Sequence, residues 1–283
     1  MKRRFINRAL TITTGIAAVV AVAIFLAIIG AVLVRGFSSL SWSFITQPTR
    51  GAGAEGGILY QIAGTLILVV TSIVISVPIA AGIGIVLQMY CAPRTRRWLE
   101  SILHALNGVP SIVFGLVGFA FFFKLLAWRK SWLAGGLLLA VMILPTLVVA
   151  FVERLRAIPR DAVLASIGLG LGRGDVVRTL LLPRAAGGLA TGTLLGLARA
   201  AGETAPIMFT AAIFSGATLP RGIADSPVLA LPYHIFVLAQ DSLNPQMIDN
   251  LWGTAAVLIA IVVALSALAL PLRLRIAEEG RGD

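Results

Sequence analysis

The sequence predicts an all-α polytopic membrane protein with six transmembrane helices and cytoplasmic N- and C-termini. Three observations predict it: the apolar fraction, apolar runs of bilayer length, and basic residues gathered at alternate ends of those runs. Of 283 residues, 58% are hydrophobic and 12% charged, with a mean hydropathy of +0.97. An ordinary soluble domain is about 45–50% apolar and about 25% charged. A soluble chain of this size would lack the polar surface to cover its core, so several runs must face lipid. The net charge of +11 might be expected of a nucleic-acid binder. Here the basic residues flank apolar segments instead of forming one patch, which fits a membrane topology and excludes a nucleic-acid partner.

Lys2, Arg3, Arg4 and Arg8 precede an apolar run from Ala9 to Val34. A cleaved signal peptide needs an apolar region of only about 7–15 residues, and this run is far longer, so a retained first helix is expected. Residues 36–57 are polar and rich in Gly and Ser and read as a periplasmic loop. A second run, Ile58 to Met89, exceeds one perpendicular crossing; Pro78, Gly82 and Gly84 offer a kink, and tilt absorbs the rest. Arg94, Arg96 and Arg97 mark the cytoplasmic side.

The third run, Ser101 to Trp128, is interrupted by Gly108 and Pro110, and the fourth, Trp132 to Phe151, contains Pro145. Arg129 and Lys130 lie in the short link between them, a local exception to the charge rule. Residues 152–183 are polar and carry Arg154, Arg156, Arg160, Arg173 and Arg178, which places them in the cytoplasm. A fifth run spans about Ala185 to Phe214, residues 215–248 form a periplasmic segment, and a sixth helix follows from about Asp249 to Leu270. Within that segment the apolar stretch Val228 to Leu238, broken by Pro232, is too short to span and reads as interfacial or re-entrant. The layout is thus a tail and first helix over 1–35, a core of five helices over 58–272, and a cytoplasmic tail over 273–283. With both ends inside, 16 of the 23 basic residues are cytoplasmic, and the inverted orientation fits much worse.

Helix five carries Arg199 and Glu203, two full charges within a span, followed by Thr204, Ala205 and Pro206. Charges at a helix centre cost about 2.5–3.5 kcal/mol each on insertion scales and face a protein interior or an aqueous path. Four residues apart, the pair shares one helix face. Gly188, Gly192, Gly196 and Ala200 repeat at the same interval and form a smooth stripe on which another helix packs closely. Two readings fit the charges. They form a buried salt bridge holding helix five in place, or they line a substrate path in which Arg199 offers a bidentate site for a tetrahedral oxyanion and Glu203 limits how tightly it is held. Pro206 cannot donate to the carbonyl of Gly202, which leaves an acceptor free beside Glu203.

The chain has no P-loop and so cannot hydrolyse ATP by that route. A P-loop requires Gly, four residues, then Gly-Lys-Ser/Thr, and Lys2, Lys124 and Lys130 all lack that context. The chain is expected to be a transport subunit and not an enzyme. His104 and His234 are isolated, and Cys91 stands alone, so neither a metal, a cofactor nor an internal disulfide is expected. Lys124 is placed to snorkel. Asn107, beside Gly108-Val109-Pro110, either caps a broken helix or reaches the pathway.

In the central loop, Leu164, Ala165 and Ser166 are followed after three residues by Gly170 and after nine more by Leu180-Leu181-Leu182-Pro183. This spacing resembles the EAA loop of ABC importer permeases: Glu-Ala-Ala, three residues, Gly, nine residues, Ile, one residue, Leu-Pro. In that family the loop helix docks in a groove of the ATPase, so the resemblance implies that Leu164, Ala165, Ser166, Gly170 and Pro183 couple to an ATPase partner. Leu164 departs from the pattern, standing where the family has Glu.

More of the chain, from about Leu40 to Pro271, resembles the PstA-type permease of phosphate-specific ABC importers. The resemblance rests on Leu40 to Phe44, Gly56-Gly57-Ile58, Gly64-Thr65-Leu66, Gly108 to Leu116, the central loop, Arg199 with Gly202 to Pro206, and Leu231-Pro232 with Ile235-Phe236. It implies a type I ABC importer permease fold in the inner membrane and a pathway for inorganic phosphate. It also implies as partners a second permease subunit, an ATPase subunit dimer and a periplasmic or lipid-anchored phosphate-binding protein. Permeases for sulfate, molybdate or phosphonate would share the loop. An ion-coupled carrier should instead show an internal repeat, and none is evident between helices one to three and four to six.

Overall fold

The computed structural model describes residues 2–216, 219–240 and 244–279. The chain is helical almost throughout, because apolar segments without water must satisfy their backbone groups internally. Among the described residues five helices are long and apolar enough to cross a membrane: α1 (Lys2–Phe37), α3 (Leu59–Met89), α6 (Trp132–Arg156), α9 (Leu182–Gly202) and α12 (Pro245–Glu279). Two further helices, α4 (Pro93–Asn107) and α5 (Ser111–Phe119), meet the same test only as a pair, and they are bent by 95° at the break between them.

The third run is therefore no continuous span. Gly108 closes α4, its N–H donating to Ala105 and Leu106, and Pro110 precedes the first turn of α5. A π-helical segment, Ala120–Leu125, continues α5 toward the next link. The fifth run is also corrected: α9 ends at Gly202, Glu203 is extended, and a short helix α10 (Ala205–Thr210) restarts with Pro206 in its first turn. Pro78 and Pro145, by contrast, lie inside α3 and α6. The sixth helix runs well past its expected end, to Glu279. Residues 280–283, including Arg281, and the side chains of Lys2, Arg3, Arg4, Arg8, Arg273 and Arg275 lie outside what is described.

The core is the contact of α3, α6 and α9, where Leu68, Leu139, Met142, Ile143, Leu147, Val148, Leu197 and Ala200 are all buried. α1 packs on α12, with Gly36 against Trp252 and Ala256 and the Arg35 guanidinium 5.0 Å above the Trp252 ring. Its remaining apolar surface, from Leu10 to Phe37, is exposed, as lipid would require.

At the loop-rich end, α2 (Trp42–Thr46) is capped by Ser41 and followed by a two-strand hairpin, β1 (Thr49–Arg50) and β2 (Glu55–Gly56). Asn250 of α12 holds that hairpin by donating to the carbonyls of Gly53 and Ala54 at 2.8 and 3.0 Å. Val228 pairs with the chain after α10 and leads into α11 (Leu231–Leu238), the eight-residue form taken by the apolar segment around Pro232. The approach is tight. A Cβ at Gly64 of α3 would strike the Leu229 carbonyl, and the Thr65 hydroxyl accepts from the Leu231 N–H at 2.9 Å.

Between α6 and α9 lie α7 (Arg160–Gly168), a turn at Gly170 with φ +87°, the short α8 (Arg173–Val176) and a π-helical turn to Leu181. Gly170 adopts the left-handed backbone that a side chain disfavours, which is why glycine stands at the turn. The α7 helix presents Leu164 and Ala165 to solvent, with Leu164 64% and Leu169 84% exposed. Ser166 is half-buried and bonds back to the Ala162 carbonyl at 2.8 Å. Pro183 is exposed in the first turn of α9.

Candidate functional site

The two helix breaks meet. Asn107, the last residue of α4, offers its carboxamide oxygen to two donors: the Thr146 hydroxyl of α6 at 3.0 Å and the Arg199 guanidinium of α9 at 3.5 Å. Arg199 Nε in turn faces Glu203 Oε1 at 3.5 Å. Because a guanidinium has no acceptor, the atom of Asn107 that faces it must be the oxygen. The Asn107 amide hydrogens are thereby turned away from both partners, and among the described residues they have none.

The charges are not fully buried: the Arg199 and Glu203 side chains are 29% and 16% exposed. Space opens beside them. Gly202 is exposed, and a Cβ built there would meet nothing within 4 Å; at Gly108, across the break, it would meet only the Ala105 carbonyl at 3.4 Å. The site thus consists of a cation, a carboxylate and an oriented amide around an opening, at the ends of two broken helices. Such interruptions in a membrane bundle are tolerated where they line a cavity.

Each part has a local cause. The glycine stripe brings α9 onto α6: a Cβ at Gly188 would lie 2.7 Å from the Ala150 carbonyl, at Gly192 2.9 Å from Leu147 Cα, and at Gly196 2.7 Å from Leu147 Cδ1. Ala200 completes the contact and is buried. This close approach sets Arg199 opposite Thr146. On the far side of the break, Gly115 of α5 lies against Ala205, Pro206 and Phe209, so the second halves of the two broken helices cross each other. Thr204 provides the carbonyl that receives the Met208 N–H at 3.0 Å and starts α10, while its side chain makes no hydrogen bond among the described residues.

The exception to the charge rule also has a place. Lys130 Nζ donates to the carbonyls of Met208 and Ala212 at 2.8 and 3.0 Å, at the C-terminal end of α10. The adjacent Ser131 N–H donates to the Thr210 carbonyl at 3.0 Å. A cation at a helix C-terminus satisfies carbonyls that have no intrahelical partner. Lys130 therefore holds one end of α10 while Glu203 and Thr204 stand at the other.

Of the residues singled out in the sequence, Arg199, Glu203 and Thr204 fall at the opening and the glycine stripe at the α6–α9 contact. The loop residues Leu164 to Gly170 lie apart, on α7 and its following turn. Sequence reasoning left Asn107 open and missed Thr146. The available signal for Thr146 was a hydroxyl beside Pro145 in an otherwise apolar helix. Among the described residues no group of His, Cys, Asp and Glu is arranged to hold a metal.

Residues 80–276 match the family model described as "Binding-protein-dependent transport system inner membrane component". The chain is 31% identical over 223 residues to the probable ABC transporter permease protein YqgI of Bacillus subtilis, covering 78% of this chain and 74% of that protein. It is 34% identical over 235 residues to the phosphate transport system permease protein PstA 2 of Mycobacterium bovis, covering 83% and 76%. Against the phosphate transport system permease protein PstA of Xylella fastidiosa it is 30% identical over 280 residues, covering 97% and 96%. A chain of the MetNI methionine ABC transporter in an inward-facing conformation superposes with a TM-score of 0.56 at 17% identity, over 78% of this chain and 94% of that one, a likeness of fold. With the family model spanning most of its length, the chain belongs to the binding-protein-dependent transport system inner membrane components, the multi-pass permease subunits of ABC importers.

Proposed function

We propose that this chain forms half of an ATP-driven pathway for inorganic phosphate, with Arg199 as the cation that receives the anion in transit. The observation that carries the reading is the Arg199 guanidinium at an opening between two helix breaks, held among the described residues by 3.5 Å contacts to Asn107 and Glu203. A charge in so costly a place and so loosely paired is suited to exchanging partners. An arriving oxyanion displaces Glu203 from Arg199, and the return of Glu203 favours release. The phosphate permeases named among the relatives supply the identity of the anion.

The exposed apolar face of α7 supports docking on a separate ATPase subunit, through Leu164, Ala165 and Ser166 with the turn at Gly170 and the return at Pro183. Leu164 makes that contact apolar where related loops carry Glu. The remaining partners of the reading are a second permease subunit, a second ATPase subunit and an external phosphate-binding protein. Both termini and the 152–183 loop are cytoplasmic, as the distribution of basic residues supports.

Phosphate uptake by membranes carrying Arg199→Lys or Glu203→Gln tests the path. A point charge on a flexible stem does not reproduce the guanidinium fork, and a neutral amide no longer competes with the bound anion for Arg199, so the first variant is expected to lose uptake through binding and the second through release, both while still assembling. Unimpaired uptake in both would sink the reading.

A further inference from the structure

A carboxylate in an anion path is a puzzle, because it repels the cargo. Glu203 is no remote bystander: its Oε1 lies 3.5 Å from Arg199 Nε, and among the described residues its second oxygen has no partner. The groups around the opening are therefore of two kinds. The uncommitted N–H groups of Arg199 and the Asn107 amide, whose oxygen is taken by Thr146 and Arg199, are donors. Glu203, as the ion-pair partner of Arg199, is an acceptor only.

A fully deprotonated oxyanion satisfies the donors and leaves its own lone pairs facing the carboxylate. Inorganic phosphate is different: at neutral pH it retains at least one proton, and its P–OH donates to a carboxylate oxygen while the other oxygens accept. We propose that Glu203 is a specificity-determining residue that accepts this proton in a hydrogen bond, so that the site passes a protonated tetrahedral oxyanion and rejects an unprotonated one such as sulfate. No bond to hydrogen is broken in this step; the proton stays on the phosphate. The inference rests on the reading of Arg199 and Glu203 as the substrate path and adds to it the reason for the acid. Repulsion of the wrong ligand by an unpaired charge is an effective route to selectivity. Sites built to bond a ligand hydroxyl reject the analogue lacking it by about 10⁴-fold or more.

The test is equilibrium binding to the purified assembly of this chain with its permease and ATPase partners, without the external binding protein, so that only the membrane site selects. Radiolabelled phosphate is the probe, with unlabelled arsenate and sulfate as competitors. In the unaltered protein arsenate, which is also protonated at neutral pH, should displace phosphate, and sulfate in hundredfold excess should not; displacement by sulfate overturns the proposal. In Glu203→Gln, where the charge is removed and an amide donor added, phosphate should still bind and sulfate should now compete, its apparent affinity rising at least about tenfold. Glu203→Asp, which keeps a carboxylate, should continue to exclude sulfate.

If the assembled Glu203→Gln protein stays blind to sulfate, or loses phosphate binding altogether, Glu203 is not the filter. Arg199→Gln separates the two readings. Undiminished phosphate binding in that variant means that the path lies elsewhere. Its loss, together with a sulfate-blind Glu203→Gln, means that the path stands and only the filter fails.

Discussion

Asn107 at the end of α4 and Thr146 in α6 are joined by a 3.0 Å hydrogen bond from the hydroxyl to the carboxamide oxygen, which fixes which way the amide faces. Thr146→Val removes the donor and keeps the shape. The amide is then free to turn, and the donor that Asn107 offers to the opening is lost part of the time. Phosphate uptake by this variant is expected to show KM raised about three- to tenfold with thermal stability nearly unchanged, since a single neutral hydrogen bond is worth about 1 kcal/mol. Uptake kinetics alongside thermal unfolding distinguish this from a purely structural role, which would move stability first.

Lys130 acts on the same site from a distance. Its ammonium serves the Met208 and Ala212 carbonyls, and burial holds it below the ordinary lysine range. In Lys130→Met those carbonyls lose their donor, at about 1–3 kcal/mol, and α10 loosens at the end opposite Glu203. Uptake should fall several-fold, with the loss of stability seen as a lower unfolding temperature of the purified assembly.

The glycine stripe provides a graded test of packing. A methyl at Gly192 would sit 2.9 Å from the Leu147 backbone, whereas at Gly82 of α3 nothing lies within 4 Å. Overpacking costs about 1–3 kcal/mol. Gly192→Ala should lower stability by that amount and shift Arg199 from Thr146 and Asn107, cutting uptake, while Gly82→Ala should leave both intact. Thermal unfolding and uptake of the two variants make the comparison.

These contacts show which parts were legible in the sequence and which were not. The long helices follow from apolar length, and the glycine interval on α9 marked a close packing face because only small residues let helix backbones approach in lipid. The breaks were half legible. Gly108 and Pro110 marked an interruption, but not a 95° bend, because a proline in an apolar run is equally compatible with continuation, as Pro78 and Pro145 show. Glu203 and Thr204 fell inside one apolar run, and the end of α9 at Gly202 became visible only once Pro206 was seen to start a new helix. The meeting of Asn107, Thr146 and Arg199 joins residues far apart in the chain, so no local pattern announces it. The charge-rule exception at Lys130 was visible, but its cause was tertiary.

His234 on α11 is 3% exposed and stacks on Phe214 at 5.6 Å, and burial pushes its imidazole from 6.5 down to about 4. The folded protein keeps the ring neutral while the unfolded chain takes up a proton as pH falls through 6.5. Protons thus favour unfolding, and stability is lost progressively between pH 6.5 and 4, by about 3 kcal/mol at the lower limit. Unfolding temperature measured across this range should drop with pH in the unaltered protein, and His234→Phe, which retains the ring stack, should flatten that dependence. An unchanged slope in the variant would assign the acid sensitivity to other groups.

Leu164 and Leu169 lie on α7 and the turn after it, 64% and 84% exposed, with Ile167 beside them 45% exposed. Unlike the apolar surface of α1, theirs belongs to a segment whose flanks carry Arg160, Asp161, Arg173 and Asp175, a composition suited to water and not to lipid. Apolar side chains concentrated there are best accounted for by a protein partner that covers them. Because they sit on a loop and α6 and α9 are held by the glycine stripe, changing them should leave the bundle intact. Leu164→Glu is the informative substitution, since it restores the residue type of related loops. If the ATPase groove is matched to an apolar residue here, the variant should bind its ATPase at least about tenfold more weakly, with uptake and transport-linked ATP hydrolysis lost together while membrane insertion and assembly with the second permease persist. Leu169→Asp should do the same. Retained ATPase affinity in both, measured by co-purification and by titration of the ATPase subunit onto reconstituted permease, would move the docking surface away from α7.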